Sequence, residues 1–539
     1  MLTALILGSF IVIVCIAASQ PLHRFGVPAL IMFLVLGLLA GSVGPWGPIH
    51  FDDYEVAETI CSLALVFIIF YGGFGTNWKT ARPVVAESVL YSTLGVVITA
   101  GAVTLFAHLV FGLGWAESFL IGSVVSCIDA ASIFSILRSE KLSLRFNTAS
   151  VLEIEGGCND LPAYMLTVVA IIILQGQNAD TVFLTVIIQL LGGVLVGVAI
   201  AVGTVWVLKK VGQRLPEGMN LLLVIAVSIL SYALASYFGG NGYLATYLCG
   251  IILGNAKIPK RAHIVTLFDS IDWLAQIMIF FLLGLMATPE RLPAMILPGL
   301  ALTAFLVLVA RPLATFAIFP LFKPGGVRND WRKCLFISWA GLRGAASIVF
   351  VFLALASDVV LQSDLFSMIL IVALLSISVQ GTLFAPVARK LDMVDDTLDY
   401  QLSFNDFQEQ SAHSFFRIAV EEDSGWAHRA IRDIPLGSHI LIVLIKRGDT
   451  TIAPRGDTVV LPGDVLVLAG EQYTGDAHTT ITQMLVEASN PWVGHQIKDL
   501  HLPETRLIVS IVREDGTAVT PKGRVKIYPE DTLTLFDWE

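Results

Sequence analysis

Long apolar runs separated by short polar stretches occupy residues 1–390 of this chain of 539 residues. A transmembrane helix needs roughly 20 mostly apolar residues. By that criterion the pattern predicts thirteen spans, at 2–18, 27–42, 57–75, 84–109, 115–137, 149–175, 182–208, 218–238, 242–255, 268–287, 294–321, 331–356 and 364–388. After residue 390 apolar residues alternate around turn signals, which is typical of short strands. The sequence therefore predicts an all-α polytopic membrane domain followed by a soluble tail.

The basic residues support this number of spans, because Lys and Arg collect in cytoplasmic loops. The odd-numbered connections and the exit from the last span hold 18 basic residues, whereas the even-numbered connections hold one, Arg291. A miscounted span would reverse this alternation from that point onward. We therefore predict a multi-pass protein of the bacterial cytoplasmic membrane, with its N-terminus outside and its tail in the cytoplasm.

Composition agrees with a protein surrounded by membrane lipid, since 55% of its residues are hydrophobic and only 14% are charged. All six cysteines lie in or beside apolar spans, with no disulfide framework and no metal-ligand spacing. The net charge of −10 gives no reason to expect a nucleic-acid partner. Neither a nucleophile–base pair nor a phosphate-binding loop is evident. We expect no enzymatic activity and no cofactor.

Ionisable residues inside the predicted spans indicate function, because each costs about 2.5–3.5 kcal/mol on insertion scales. Span 5 carries Asp129, span 6 carries Glu153, Glu155 and Asp160, and span 12 carries Arg343. So many charges on three spans predict an ion site. Structural alternatives stay open: a helix cap for Asp129, an interhelical hydrogen bond for Asp160, and ion pairs of the two glutamates with Arg343 or another base.

Glycines beside these charges predict irregular helices or close helix contacts. Asp160 lies in a stretch from Gly156–Gly157 to Pro162 that is poorly suited to continuous helix, and Arg343 lies between Gly341 and Gly344. Interrupted spans in corresponding halves of a chain indicate a transporter site near the middle of the membrane.

Three further charged residues are interpreted as unrelated to ion binding. Arg311, before Pro312 in span 11, is expected to be structural or to snorkel to the interface. Asp269 and Asp272 begin span 10 and are expected to be interfacial.

Several segments together resemble the NhaP-type cation/proton antiporters, which are related to animal sodium/proton exchangers. They are VLEIEGGCNDLPAY (151–164), CIDAASIFSILR (127–138), WAGLRGAAS (339–347) and WLAQIMIFFLLGLM (273–286). The resemblance implies an NhaA-like fold of thirteen transmembrane helices in 6+1+6 inverted repeats. Spans 5 and 12 would cross as half-unwound helices, and the protein would be a homodimer that works by alternating access.

The resemblance also implies roles for individual residues. Asp160 and Asp129 would form the monovalent cation and proton site, Asn159 would support it, and Glu155 would pair with Arg343. The other site-supporting positions are Glu153, Ser126, Ile128 and Cys158. Ile128, Gly156, Cys158, Leu161 and Ser347 depart from the family's pattern, which reduces the number of oxygen ligands and leaves the ion open.

The resulting functional prediction is exchange of K⁺ or Na⁺ for H⁺, in which cation and proton compete for Asp160. An Asn-Asp site suggests one-for-one, electroneutral exchange. The alternatives are a ligand-gated cation channel and a membrane sensor that transports nothing.

The tail contains an internal repeat. Residues 420–449 match residues 486–515 at an offset of 66, so that Trp426 recurs as Trp492 and Arg447 as Arg513. The unit resembles the RCK-C/TrkA-C module of potassium-channel regulators. We predict a membrane domain at 1–390, a linker at 391–412, and two small α/β modules at 413–472 and 479–539. The resemblance implies dimerisation or binding of a nucleotide or cyclic dinucleotide.

Overall fold

A computed structural model describes residues 13–15, 29–43, 51–394 and 413–538, with gaps at 77, 141, 212–216, 257, 259–260, 322–330, 358, 421–425, 435–439, 448–449, 453, 472–478, 487–491, 501–505, 514–517, 520–524 and 530. The chain divides into two compact units, Met1–Glu409 and Gln410–Glu539. Most of the first predicted span and the linker beyond residue 394 lie outside the described residues.

The first unit is helical. Its described helices are α1 (Ala29–Val43), α2 (Tyr54–Gly75), α3 (Trp78–Ala81), α4 (Val85–Leu90), α5 (Val96–Phe111), α6 (Trp115–Val124), α7 (Ala130–Ser139), α8 (Thr148–Cys158), α9 (Asp160–Leu174), α10 (Ala179–Val211), α11 (Glu217–Tyr237), α12 (Gly242–Asn255), α13 (Arg261–Leu285), α14 (Leu292–Phe305), α15 (Arg311–Ile318), α16 (Trp331–Trp339), α17 (Ala345–Ala356), α18 (Leu365–Leu375) and α19 (Thr382–Lys390). Single π-helical turns, Tyr91–Gly95, Leu306–Ala310 and Ser376–Gly381, join α4 to α5, α14 to α15 and α18 to α19.

Within the described residues, eight continuous helical segments are long and apolar enough to cross a membrane, and two shorter apolar helices, Leu30–Gly41 and Ala345–Ala356, accompany them. A helix satisfies all its backbone hydrogen bonds internally, which a segment inside hydrocarbon requires. The expected polytopic, mostly helical membrane protein is therefore confirmed at this level.

Two spans are interrupted and cross each other. In span 5 the helix α6 ends at Val124 and α7 begins at Ala130, and in span 12 α16 ends at Trp339 and α17 begins at Ala345. The backbone N–H of Asp129 donates to the carbonyl of Leu342 at 2.8 Å, so the two unwound segments are in direct contact. The expected half-unwound pair is therefore present in the structure.

Span 6, by contrast, is almost continuous. Only Asn159 separates α8 from α9, and its backbone angles, φ −73° and ψ −24°, are helical. The expected interruption from Gly156 to Pro162 is therefore wrong. Gly156 instead permits close contact, since a Cβ there would lie 2.3 Å from the Cβ of Ala130. Pro162 is tolerated because it lies in the first turn of α9, where its missing N–H is not needed.

The second unit contains two antiparallel sheets with the same strand order. The first, ordered β1-β4-β2-β3, consists of β1 (His413–Ala419), β2 (Ile440–Arg447), β3 (Thr450–Ile452) and β4 (Val465–Glu471). The second, ordered β5-β8-β6-β7, consists of β5 (Thr479–Leu485), β6 (Arg506–Val512), β7 (Ala518–Val519) and β8 (Thr532–Trp538).

The two sheets share local irregularities as well as topology. The register shifts between Ile442 and Leu444 in one sheet and between Ile508 and Ser510 in the other, which is the offset of 66 seen in the sequence repeat. The described tail residues otherwise form only turns, bridges and single 3₁₀ turns such as Ile431–Asp433. The tail was expected to be α/β, and its described part is β with no α-helix.

Candidate functional site

Arg343 hydrogen-bonds backbone carbonyls at the C-terminal end of α6, where span 5 is interrupted. Its side chain is 1% exposed, and Nη1 donates to the carbonyls of Ser126, at 3.0 Å, and of Cys127. The last carbonyls of a helix have no intrahelical partner and carry partial negative charge. The buried guanidinium of Arg343 supplies both a hydrogen-bond donor and a positive charge at the point where α6 unwinds. Arg343 is held there by its own backbone N–H, which donates to Oγ of Ser376 at 2.9 Å.

Asp129 performs the matching task at the start of α7. Its Oδ1 accepts from the backbone N–H of Ser132 at 3.3 Å, and its Oδ2 accepts from the hydroxyl of Ser132 at 2.5 Å. These are the contacts of a helix N-cap, so the capping alternative is present in the structure. Gly344 makes room for the carboxylate, since a Cβ at Gly344 would lie 1.9 Å from Oδ2.

Asn159 and Asp160 lie beside this crossing with polar atoms that no described group satisfies. Asn159 is 1% exposed and Asp160 is 7% exposed. Both amide atoms of Asn159 and Oδ1 of Asp160 are buried without a hydrogen-bond partner among the described residues. Asp129 lies close enough for its charge to act on Asp160. Buried polar atoms without partners are costly, so this arrangement fits a place where a cation or a proton binds.

Glu155 pairs with Arg311. Nη2 of Arg311 donates to Oε1 of Glu155 at 2.9 Å, and the two side chains are 2% and 0% exposed. The implied pair of Glu155 with Arg343 is therefore wrong, because Arg343 is turned toward the carbonyl end of α6. Of the two roles expected for Arg311, the structure contains the structural one and not snorkelling, since its guanidinium is buried and also donates to the carbonyl of Ile337 at 3.3 Å.

Sequence reasoning missed Arg311 as a residue near the site. Gly341, in the unwound segment of span 12, lies against it, and a Cβ there would be 2.7 Å from Nε of Arg311. The signal available in the sequence was a charge at membrane depth, the same criterion that identified Arg343. Distinguishing between the two arginines required knowing which one faces Glu155.

The remaining predicted site residues differ in their burial and in their hydrogen bonds. Glu153 is half-buried on α8, and Cys158 donates its thiol to the hydroxyl of Tyr247 on α12 at 3.0 Å. Ser126 donates its hydroxyl to the carbonyl of Ser123 at 2.6 Å. Ile128 is 2% exposed, and its side chain brings no oxygen to the crossing.

The two aspartates of α13 both accept hydrogen bonds from other side chains. Asp272 is 8% exposed and accepts from Nε2 of Gln276 on the same helix at 2.7 Å. Asp269 is half-buried and accepts from the hydroxyl of Tyr71 at 3.1 Å. Their position at the membrane interface stays a prediction.

Comparison with known proteins places this chain in a family. Residues 10–390 match the model of the sodium/hydrogen exchanger transmembrane family, and residues 415–473 and 481–536 each match the TrkA-C domain. The K⁺/H⁺ antiporter NhaP2 of Shewanella oneidensis is 32% identical over 476 residues, which cover 88% of this chain and 82% of that protein. The K⁺/H⁺ antiporter NhaP of Alkalimonas amylolytica is 35% identical over 488 residues, or 89% and 83% of the two chains.

The fold is also similar to a solved structure. The sodium proton antiporter MjNhaP1 from Methanocaldococcus jannaschii superposes with a TM-score of 0.63, at 20% identity, over 72% of this chain and 99% of that one. The family match spans more than half of the sequence and includes both interrupted helices and the Asn159–Asp160 pair. The chain is therefore a multi-pass membrane protein that belongs to the sodium/hydrogen exchanger family and carries a TrkA-C tail.

Proposed function

We propose that this protein exchanges K⁺ for H⁺ across the membrane, with Asp160 binding the cation or the proton in turn. The observation that carries this proposal is the buried Asn159–Asp160 pair next to the crossing of two interrupted helices. Both amide atoms of Asn159 and Oδ1 of Asp160 lack partners among the described residues. The relatives that are named K⁺/H⁺ antiporters favour K⁺ over Na⁺.

One carboxylate can accommodate a monovalent cation or a proton, but not both well. Competition at Asp160 then produces exchange, because the site crosses the membrane when it is occupied by either one. A bare carboxylate crosses poorly, since moving an unpaired charge through an apolar medium is penalised. This barrier prevents leak and makes the exchange one-for-one and electroneutral.

The surrounding residues hold this site in shape. Arg343 and Asp129 neutralise the ends of α6 and α7, so both half-helices can end inside the membrane. The Glu155–Arg311 pair keeps α8 beside the helix that carries Arg311. Asn159 supplies a neutral amide beside the charge of Asp160, which favours binding of a single positive charge.

The finer architecture is part of the same proposal. We infer thirteen spans in 6+1+6 inverted repeats, a homodimer, an outside N-terminus, a cytoplasmic tail and location in the bacterial cytoplasmic membrane among its lipids. Support comes from the alternation of basic loops and from the similar breaks in spans 5 and 12.

The tail is proposed to regulate transport. We infer a membrane domain at 1–390, a linker at 391–412, and modules at 413–472 and 479–539 that bind a nucleotide or cyclic dinucleotide or hold the dimer together. The two TrkA-C matches support the regulatory role.

The proposal is tested with the purified full-length protein in proteoliposomes that contain a pH-sensitive dye. External K⁺ or Na⁺ is added with the membrane potential clamped at zero, and proton movement is recorded. We expect a cation-dependent pH change that Asp160→Asn abolishes. Asp180→Asn, the same change at an exposed residue of α10, is the matched control.

Three results would contradict the proposal. Full cation-dependent proton movement in Asp160→Asn would remove Asp160 from the mechanism. A cation flux that follows the membrane potential without moving protons would instead indicate the alternative, a channel. Absence of flux under all conditions, in folded protein, would support a sensor that does not transport.

A further inference from the structure

Tyr247, on α12, is a buried tyrosine whose ring is wedged between two helices that carry glycines. It is 2% exposed. A Cβ at Gly157 on α8 would lie 3.1 Å from Cε2 of the ring, and a Cβ at Gly73 on α2 would lie 3.2 Å from Cδ2. A side chain at either glycine would press on the ring, so the two glycines and the ring fix the position of the hydroxyl.

That hydroxyl lies beside Gly157 and Cys158, which directly precede Asn159 and Asp160. It accepts a hydrogen bond from the thiol of Cys158 at 3.0 Å and interacts with Thr76 and with the charge of Glu153. Cys158 is two residues before Asp160 in span 6. The hydroxyl of Tyr247 is therefore held beside the part of span 6 that carries Asp160.

The same groups share the accessible face of span 6. Glu153, Gly157 and Asp160 are four and three residues apart, which places them on one side of a helix. Glu153, Gly157 and Cys158 are half-buried, whereas Val151, Leu152 and Ile154 to Gly156 are buried. The hydroxyl of Tyr247 lies against this face, at Gly157 and Cys158.

Two positions of this site bring no side-chain oxygen that could replace water around a cation. Ile128 is apolar and Cys158 offers sulfur, whereas hard cations bind oxygen in preference to thiol sulfur. We propose that Tyr247 is a specificity-determining residue, whose hydroxyl oxygen contacts the cation as it passes between Glu153 and Asp160. This inference rests on the proposed function of Asp160.

The test compares Tyr247→Phe with Tyr243→Phe in proteoliposomes of the full-length protein. Phenylalanine keeps the ring between Gly73 and Gly157 and removes only the hydroxyl. The control residue lies on the same helix, is 1% exposed and donates its hydroxyl to Oγ of Ser62 at 3.0 Å. The apparent KM and the maximal rate are measured for K⁺, Rb⁺ and Na⁺ by the proton flux that each cation drives.

We expect Tyr247→Phe to raise the KM for K⁺ by about three- to tenfold, the effect of one lost polar contact, and to leave the maximal rate within about twofold. Tyr243→Phe keeps the wild-type KM. A wild-type KM in Tyr247→Phe, or an equal rise in Tyr243→Phe, would overturn the inference. An equal rise in Cys158→Ala would also overturn it, because Tyr247 would then act only through the thiol.

A second measurement does not depend on transport. Cys158 is half-buried whereas the other five cysteines are buried, so a small maleimide should label Cys158 first. We expect K⁺ to slow this labelling. In Tyr247→Phe, the K⁺ concentration that slows labelling by half should rise by the same factor as the KM. If the same K⁺ concentration slows labelling in wild type and in Tyr247→Phe, the contact between the hydroxyl and the cation is refuted. Loss of exchange in Asp160→Asn together with an inert Tyr247→Phe would refute this inference alone and leave the proposed function intact.

Discussion

Arg311→Leu should be among the most destabilising single changes in the membrane unit. It leaves the carboxylate of Glu155, which is 0% exposed, without the guanidinium that now lies 2.9 Å away. Removing one partner of a buried ion pair costs about 3–5 kcal/mol, because the remaining charge stays desolvated and unpaired. The carbonyl of Ile337 also loses a donor at 3.3 Å.

The magnitude can be judged against an exposed pair in the same unit. Nη1 of Arg145 lies 2.9 Å from Oδ2 of Asp392, a distance equal to that of the buried pair, but these side chains are 37% and 60% exposed. Exposed pairs contribute about 0–1 kcal/mol, since water screens them. Arg145→Gln is therefore the matched control, with the same kind of contact and geometry but different burial.

The assay is equilibrium unfolding of the purified protein in mixed micelles of rising SDS fraction. We expect the free energy of unfolding to fall most in Arg311→Leu, less in Glu155→Gln, and little in Arg145→Gln. The double variant Glu155→Gln/Arg311→Leu should recover part of the loss, because it removes both charges. Wild-type stability in Arg311→Leu, or a double variant no better than Arg311→Leu, would show that the pair does not stabilise the fold as argued.

Two other predictions follow from local geometry. Gly344→Ala should abolish cation-dependent proton flux, since its Cβ would lie 1.9 Å from Oδ2 of Asp129, whereas Gly101→Ala, with open space around it, should transport normally. In the tail, hydrogen bonds from Arg447 hold the pKa of Asp464 below its usual value. This stabilisation is complete above pH of about 4, the ordinary Asp pKa, and is lost as pH falls through the lower folded value. The urea midpoint of the tail should therefore fall on acidification more in wild type than in Asp464→Asn, and parallel curves would contradict this.

The sequence by itself determined the class of the protein. Long apolar runs in the first 390 residues can cross a membrane only as helices, because their backbone polar groups must be satisfied without water. Glycines on both sides of Arg343 predicted the break in span 12, and the family resemblance implied the break in span 5; the structure contains both. The repeat at an offset of 66 anticipated two sheets of equal strand order. These features depend on residues that are near one another along the chain.

Only the tertiary structure decided which charges meet. Arg311 is 156 residues from Glu155, and Arg343 is 216 residues from Cys127. Both arginines satisfy the same sequence criterion, so their partners follow from how the helices pack. The continuity of span 6 was decided in the same way. Gly156 allows α8 to pack closely against Ala130 and does not interrupt the helix. Local patterns specify helices and their interruptions, whereas partners so distant in sequence are selected by the packing that buries them.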